Sequence, residues 1–485
     1  MAANIEGSES LSDFRVRVIV VIGTRPEAIK LFPVIRALRE SPHLTPFVVI
    51  TGQHADMVLP VLKMAGIEPD VDLHVGRPKN TLNGLVADVV TAFDRLTGEL
   101  RANDPQRDIP ITAACLVHGD TTSAFAAALA AVQVGLPVVH VEAGLRTGDA
   151  LSPFPEELNR QMIGRIASFH LAPTTHNLQN LVREKIPANR IFVTGNTGID
   201  ALRWVALQHV DYQDPRLEEF DAQEGPIIVV TAHRRENWDG GLGRIARAVA
   251  AIARARPDVR TVVSLHPNPR VRDEIVPWLT GFDNILLVEP LGYAEFARLL
   301  LRAKLAITDS GGIQEEAPSL DTPVLVVRDE TERGEGVEAG TLLLVGTDTD
   351  TIVKQTLRLL DDQDAYLEMQ RARNPYGDGW AAQRIVGALE NLAVGTPPPQ
   401  EFGSGFSRNA VLEAAGYGDL HGSPAEYVEV KLPLGERRRE TRDRRAGGRD
   451  DRRAGTHRDV FGVQQRSGEP SADRADEDQE WWANN

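Results

Sequence analysis

Leu305-Ala-Ile-Thr-Asp-Ser-Gly-Gly-Ile-Gln-Glu-Glu316 decides the fold, because a short apolar run passes through a pair of glycines directly into the start of a helix. Leu305 to Thr308 reads as a buried parallel strand, and Ser310, Gly311 and Gly312 then leave backbone N–H groups unpaired at a helix N-terminus, which attracts anions. The glycines carry no side chain to block a pyrophosphate. Glu316, about one helical turn further on, can accept two hydrogen bonds from a ribose diol. The turn therefore suits a nucleoside diphosphate. The same residues also suit a plain tight turn in which Glu316 only complements the helix dipole.

The strand-to-helix step recurs along the chain. Short β-branched runs at Val16 to Ile22, Phe47 to Ile50, Ala113 to Val117, Val138 to Val141, Phe169 to Ala172 and Ile191 to Val193 alternate with helical segments. After a polar bridge around Tyr212 to Gly225 the rhythm resumes at Ile227 to Thr231, Thr261 to Leu265, Ile285 to Val288, Leu305 to Thr308, Val324 to Val327 and Leu342 to Val345. This predicts an α/β protein of two Rossmann-like, doubly wound parallel-sheet domains, at 14–205 and 225–375, facing a cleft. Ligands of such sheets lie beyond the carboxyl ends of the strands. From 396 to 485 the pattern dissolves into Pro397-Pro398-Pro399, glycines, the run Arg437 to Arg445 and an acidic end at Asp476 to Glu480. A coreless, disordered tail is expected there, with one helical turn at Val411 to Ala415 at most.

The chain has 485 residues, of which 42% are hydrophobic, ample for two or three cores. Lys plus Arg total 53 against 69 Asp plus Glu, a formal charge of −16, so most of the surface should repel nucleic acid and anionic membranes. The lone Cys115 excludes a disulfide framework and a thiolate metal cluster. The first residues are polar and acidic (Glu6, Glu9, Asp13), and no apolar stretch approaches the ~18 residues of a membrane span. A cytoplasmic location is expected.

At the end of the first strand stands Gly23-Thr-Arg-Pro-Glu-Ala-Ile-Lys30, in which Pro26 suits the first turn of a helix. Arg25 and Lys30 straddle that N-terminus, against the helix dipole, so an anion nearby is expected to offset them. Two later strands end in His118-Gly-Asp120 and His140-Val-Glu142, and Glu156 follows the stiff Pro153-Phe-Pro155. Carboxyls sharing one pocket can divide acid and base roles when their surroundings separate their pKa values. Asp120 is equally suited to cap the helix beginning at Thr121. The two His-X-acid pairs also admit a metal, but no third ligand group stands out, so none is expected. In the second half His233-Arg-Arg-Glu-Asn237 follows a strand and suits an anion contact. Gly241-Leu-Gly243-Arg-Ile-Ala246 imitates a dinucleotide fingerprint. It begins about nine residues after its strand and lacks the ribose-binding acid, so NAD(P) is not implied.

With Gly-Thr-Arg-Pro-Glu, His-Gly-Asp, His-Val-Glu-Ala-Gly-Leu-Arg-Thr, Pro-Glu-Glu, His-Arg-Arg-Glu-Asn and Asp-Ser-Gly-Gly-Ile-Gln-Glu-Glu in this order, the sequence resembles the bacterial non-hydrolysing UDP-N-acetylglucosamine 2-epimerases from about Val16 to Val394. The resemblance implies a GT-B-like fold whose last helix, 381–394, packs back on the first domain. It implies interconversion of UDP-N-acetylglucosamine and UDP-N-acetylmannosamine through loss and return of UDP, without a cofactor, supplying surface polysaccharide precursors. By similarity Asp120, Glu142 and Glu156 form the acid/base set, and His233 contacts the leaving UDP. Arg25 and Lys30 would assist at the phosphates, Ser310, Gly311 and Gly312 would bind them, Glu316 would hold the ribose, Arg333 matches a nucleotide contact of the family, and Phe296 matches one near the uracil. Leu291 and Gly292 stand where relatives often carry Gln-Glu. Gln53 and His54 match a site at which some members bind a second UDP-sugar as activator, although Asp56 replaces a longer acid. The expected partner is a UDP-sugar, with no nucleic acid and no membrane, and the expected assembly is a homodimer. The rival readings are a GT-B glycosyltransferase, which needs an acceptor cleft, a hydrolysing epimerase, and a UDP-sugar sensor acting through its tail.

Overall fold

The computed structural model describes residues 15–75, 81–102 and 112–403. Among these residues one parallel sheet contains β1 (Val16–Ile22), β2 (Leu44–Ile50), β3 (Val71–Asp72), β4 (Thr112–His118), β5 (Val138–Val141), β6 (Phe169–Ala172) and β7 (Ile191–Val193), in the order β3-β2-β1-β4-β5-β6-β7. A second contains β8 (Ile227–Thr231), β9 (Arg260–Ser264), β10 (Ile285–Val288), β11 (Leu305–Thr308), β12 (Val324–Val326) and β13 (Leu342–Leu344), in the order β10-β9-β8-β11-β12-β13. The sequence reading missed β3, an edge strand of two residues, too short to carry a periodicity.

The apolar runs are continuous because both faces of each sheet are covered by helices. Successive side chains of a strand point to opposite faces. Hence Val18, Val20 and Ile22 enter one apolar cluster while Ile19 and Val21 enter the one behind it. β8 repeats the division, with Ile228 and Val230 on one side and Ile227 and Val229 on the other. The strand order reverses between β1 and β4 in the first sheet and between β8 and β11 in the second. A crevice opens at such a reversal, beyond the carboxyl ends of the strands. A sequence motif follows each of those four strands, and His140-Val-Glu142 follows β5, next to β4.

The helix Ala381–Val394 returns to the first sheet, burying Ala382, Ile385, Val386 and Leu389 in the cluster that holds Val18 and Leu38. The lobes also touch directly. Ala297, from the helix Tyr293–Arg302 of the second lobe, sits in that same cluster, and Asn196 Nδ2 donates to Glu315 at 2.9 Å.

The folded body runs past 396, where the sequence reading begins its tail. β7 is a sheet edge, and an edge leaves backbone groups without partners. Glu401 accepts the Val193 N–H at 3.0 Å, and the Phe402 N–H donates to the Val193 carbonyl at 2.9 Å. The Phe402 ring, 4% exposed, completes a cluster with Leu178, Leu181, Ile191 and Val193. The expected turn at Val411 to Ala415 and the arginine run lie outside the described residues. Phe402→Ala is expected to cost about 3 kcal/mol, as for other buried aromatics. Urea denaturation of the full chain measures it, and an unchanged midpoint would show that this segment contributes nothing. Among the described residues no helix is long and apolar enough to cross a membrane.

Candidate active site

The turn after β1 is fastened by Glu27, which is 2% exposed. Its Oε2 accepts the N–H groups of Gly23 at 2.6 Å and Thr24 at 2.7 Å, and its Oε1 accepts the Thr121 hydroxyl at 2.6 Å. One carboxylate thus ties the β1 turn to the β4 turn across the switch point. The sequence reading gave Glu27 no role, although its spacing from Thr24 is that of a capping box. Thr121, not Asp120, caps the helix Thr122–Gln133, its side chain accepting from Ala124 N at 3.0 Å. That leaves the Asp120 carboxylate for other work.

Arg160 Nε donates to Asp120 Oδ2 at 2.7 Å, Asn159 Nδ2 donates to the Asp120 carbonyl at 2.8 Å, and Arg160 Nη1 is held by the buried Glu157 at 2.9 Å. Burial raises the Asp120 carboxyl; Arg160 opposes this, and the charges of Glu142 and Glu156 add to the rise. Asp120 and Glu142 stand just beyond the carboxyl ends of the paired strands β4 and β5. Glu156 itself is half-buried in the first turn of the helix Glu156–Ile166.

Lys30 Nζ lies 2.5 Å from Glu142 Oε2, and His118 Nε2 lies 3.4 Å from the same oxygen. Burial would raise the Glu142 carboxyl, but Lys30 and His118 prevail and hold it well below the usual carboxylate range. Lys30 is shifted the other way: burial would lower it, and Glu142, Glu315 and Glu316 together raise it. The anion that the sequence reading demanded near Lys30 is therefore in part the protein's own. Since Glu315 and Glu316 belong to the second lobe, Lys30 spans the cleft electrostatically. The His140 ring meets the Gly119 carbonyl at 2.7 Å, so this member of the second His-X-acid pair secures the Asp120 turn.

On the opposite lobe, the fully buried Asp309 organises the glycine turn after β11. Its Oδ2 accepts from His233 N, Arg234 N and Asn237 Nδ2, each at 2.9 Å, and its Oδ1 lies 3.4 Å from His233 Nδ1. The His233 ring also stacks on His266, with centroids 5.4 Å apart. Asp309 thus joins the His233 loop to the turn that Ser310 begins. The Ser310 hydroxyl is buried without a hydrogen-bond partner among the described residues. Arg333 lies over Gly311, where any Cβ would come within 2.8 Å of its guanidinium carbon, and donates to Glu315 at 3.0 Å. Gly312 is half-buried in the turn, and Phe296, half-buried on the helix Tyr293–Arg302, packs on the second lobe's core.

Arg25 lines an inter-lobe cavity of about 460 Å³ with Met57, Leu291, Gly292 and Tyr293. Burial lowers Arg25, and the Tyr293 hydroxyl feels both Arg25 and Glu316. Gln53 accepts from Ser123 Oγ at 2.6 Å, and His54 precedes the helix Ala55–Met64, its ring lowered by burial. Around Asp120, Glu142, Lys30, His233 and the Ser310 turn the structure adds Glu27, Arg160, Asp309 and Glu315 as partners. Asp309 stood inside the quoted stretch, but its donors come from 75 and 76 residues away. No local pattern announces that.

Glu316 is pushed up to about 8 by burial and by Glu315, with Lys30 opposing. The unperturbed carboxyl titrates at 4.5, so between these values the folded chain keeps a proton that the unfolded chain has lost. Stability must then fall as pH rises through that window. Glu316→Gln is expected to flatten this part of the urea-midpoint profile. Equal slopes for variant and parent would remove Glu316 as the cause.

A family model described as UDP-N-acetylglucosamine 2-epimerase matches residues 36–390. A protein of that name from Yersinia pestis is 47% identical over 384 residues, covering 78% of this chain and 100% of the relative. One from Escherichia coli (strain K12) is 45% identical over 381 residues, covering 78% and 99%. The crystal structure of the UDP-GlcNAc 2-epimerase from Neisseria meningitidis bound to UDP-GlcNAc superposes with a TM-score of 0.70 at 38% identity, covering 77% of this chain and 99% of that one. The paired parallel-sheet lobes share the GT-B-like architecture of these neighbours.

Proposed function

Since the chain belongs to the UDP-N-acetylglucosamine 2-epimerase family, we propose that it interconverts UDP-N-acetylglucosamine and UDP-N-acetylmannosamine by releasing and recapturing UDP. The C2 hydrogen of the sugar is not next to a carbonyl, so its direct removal as a proton is prohibitive. Coupling that removal to departure of UDP solves the problem. The C2–H electron pair becomes the C1=C2 double bond of 2-acetamidoglucal as the C1–O pair leaves with the diphosphate. UDP then adds back at C1 while a proton reaches C2 on the other face.

The observation that carries this reading is the geometry of two carboxylates at the ends of adjacent strands, Asp120 held by Arg160 at 2.7 Å and Glu142 held by Lys30 at 2.5 Å. Burial raises the first and Lys30 with His118 lowers the second, and carboxyls in such different surroundings can divide acid and base roles. Glu156 completes the set. His233, steadied by Asp309, stabilises the departing diphosphate with Arg25, Lys30, Arg333 and the Ser310 to Gly312 turn. Glu316 takes the ribose and Phe296 lies by the uracil. The product feeds surface polysaccharide synthesis from the cytoplasm.

Turnover of UDP-N-acetylglucosamine in deuterated water tests the scheme. One deuterium should enter C2 of the product, and bridging oxygen label should scramble into the diphosphate. A transferase leaves C2 unlabelled, and a hydrolysing enzyme accumulates the free sugar. Either result would displace this mechanism.

A further inference from the structure

We propose that His118 is a positioning residue for Glu142, clamping one carboxylate oxygen so that the other is presented to the sugar. This rests on the epimerase reading above and concerns a residue outside the acid/base set itself.

β4 and β5 pair in register with His118 opposite Val141, so Glu142 begins one residue beyond the ladder. At that point its backbone turns into the left-handed region, φ 63°, which non-glycine residues seldom adopt. Such strain persists only where the surroundings over-determine the position. The surroundings here are Lys30 Nζ at 2.5 Å and His118 Nε2 at 3.4 Å, both converging on Oε2. Oε1 has no hydrogen bond among the described residues, and the side chain is 17% exposed. One oxygen is gripped and the other is open.

His118 is 4% exposed, and its Nε2, which makes no hydrogen bond of good geometry among the described residues, faces Glu142 Oε2 at 3.4 Å, close enough to tighten onto it. A ring nitrogen so buried needs a proton to share with the carboxylate, which assigns the Nε2–H tautomer. The charged and titratable groups that face this ring are Glu142 and His140 from the β5 side and Glu27 from the helix Arg25–Glu40, with Lys30 across the shared oxygen and Asp120 two residues on. Lys30 also answers to Glu315 and Glu316 and would be drawn toward the diphosphate. His118 is then the partner that keeps Oε2 in place while Lys30 serves the phosphate.

The test uses the full chain as His118→Phe and His118→Gln, whose amide nitrogen can occupy the place of Nε2. His118→Phe should lower kcat about 10–100-fold, the size of one lost hydrogen bond to a charged group. UDP affinity by calorimetry should stay within about twofold, since His118 touches no phosphate site, so the loss falls on kcat and not on nucleotide binding. His118→Gln should recover most of kcat, which also guards against a Phe variant that fails to fold. Parent-like kcat in the Phe variant would overturn the proposal. So would equal losses of kcat in both variants, or a fall in UDP affinity that matches the fall in kcat, the signatures of packing alone. If the parent itself puts no deuterium at C2, the epimerase reading has failed, and this proposal fails with it.

Discussion

Asp120→Asn is expected to lower kcat by about 10²–10⁴-fold, the usual range for a lost acid/base group. UDP binding should be nearly unchanged. The amide keeps the shape of the carboxyl and still offers Arg160 an oxygen, and Arg160 keeps its second anchor on Glu157, so the turn should hold. What disappears is the capacity to carry a proton at a half-buried site where desolvation, helped by Glu142 and Glu156, favours the protonated form. Steady-state kinetics with calorimetric UDP titration reads both quantities. A variant that keeps more than about a tenth of parental kcat would take Asp120 out of the acid/base set.

The second large effect is structural and catalytic together. Asp309→Ala removes the acceptor shared by His233 N, Arg234 N and Asn237 Nδ2. Asn237 Nδ2 keeps the Val327 carbonyl, but the two part-buried backbone N–H groups lose their acceptor at about 1–3 kcal/mol each, so a loss of about 2 kcal/mol or more is expected for the second lobe. For a lobe of this size about 2 kcal/mol corresponds to roughly 4–8 °C in the melting of that lobe. UDP affinity should fall too, since the His233 loop and the Ser310 turn would no longer share an anchor. A melting profile and UDP affinity within error of the parent would show that the Asp309 bonds are replaceable by water.

Both predictions concern residues whose importance was unevenly legible. Asp120 was marked by its place after a β-branched run, because an acid at the carboxyl end of a parallel strand faces the crevice wherever the strand order reverses. The alternative reading of Asp120 as a helix cap is removed by Thr121, whose hydroxyl takes the N-cap bond. Asp309 is a neighbour of the glycines that drew attention, yet its partners lie on the turn after β8. Lys30 illustrates the same limit. Its charge at a helix start called for an anion, and the anion is Glu142, 112 residues later. Phe402 was assigned to a tail because Pro397-Pro398-Pro399 and the surrounding glycines break every periodicity, while the edge of β7 has a use for an irregular segment.

By itself, then, the sequence determined the class of fold, the ends of most strands and the residue types at the crevice. Those depend on short-range rules: which runs bury both faces, where a chain must turn, which groups carry charge. Only the tertiary structure decided that Glu27 bridges two turns, that Arg160 rather than a helix end holds Asp120, and that Lys30 and His118 share one oxygen of Glu142. Proton affinity follows from burial and from charges a few ångströms away, and those neighbours are brought together by the packing of strands that stand far apart along the chain.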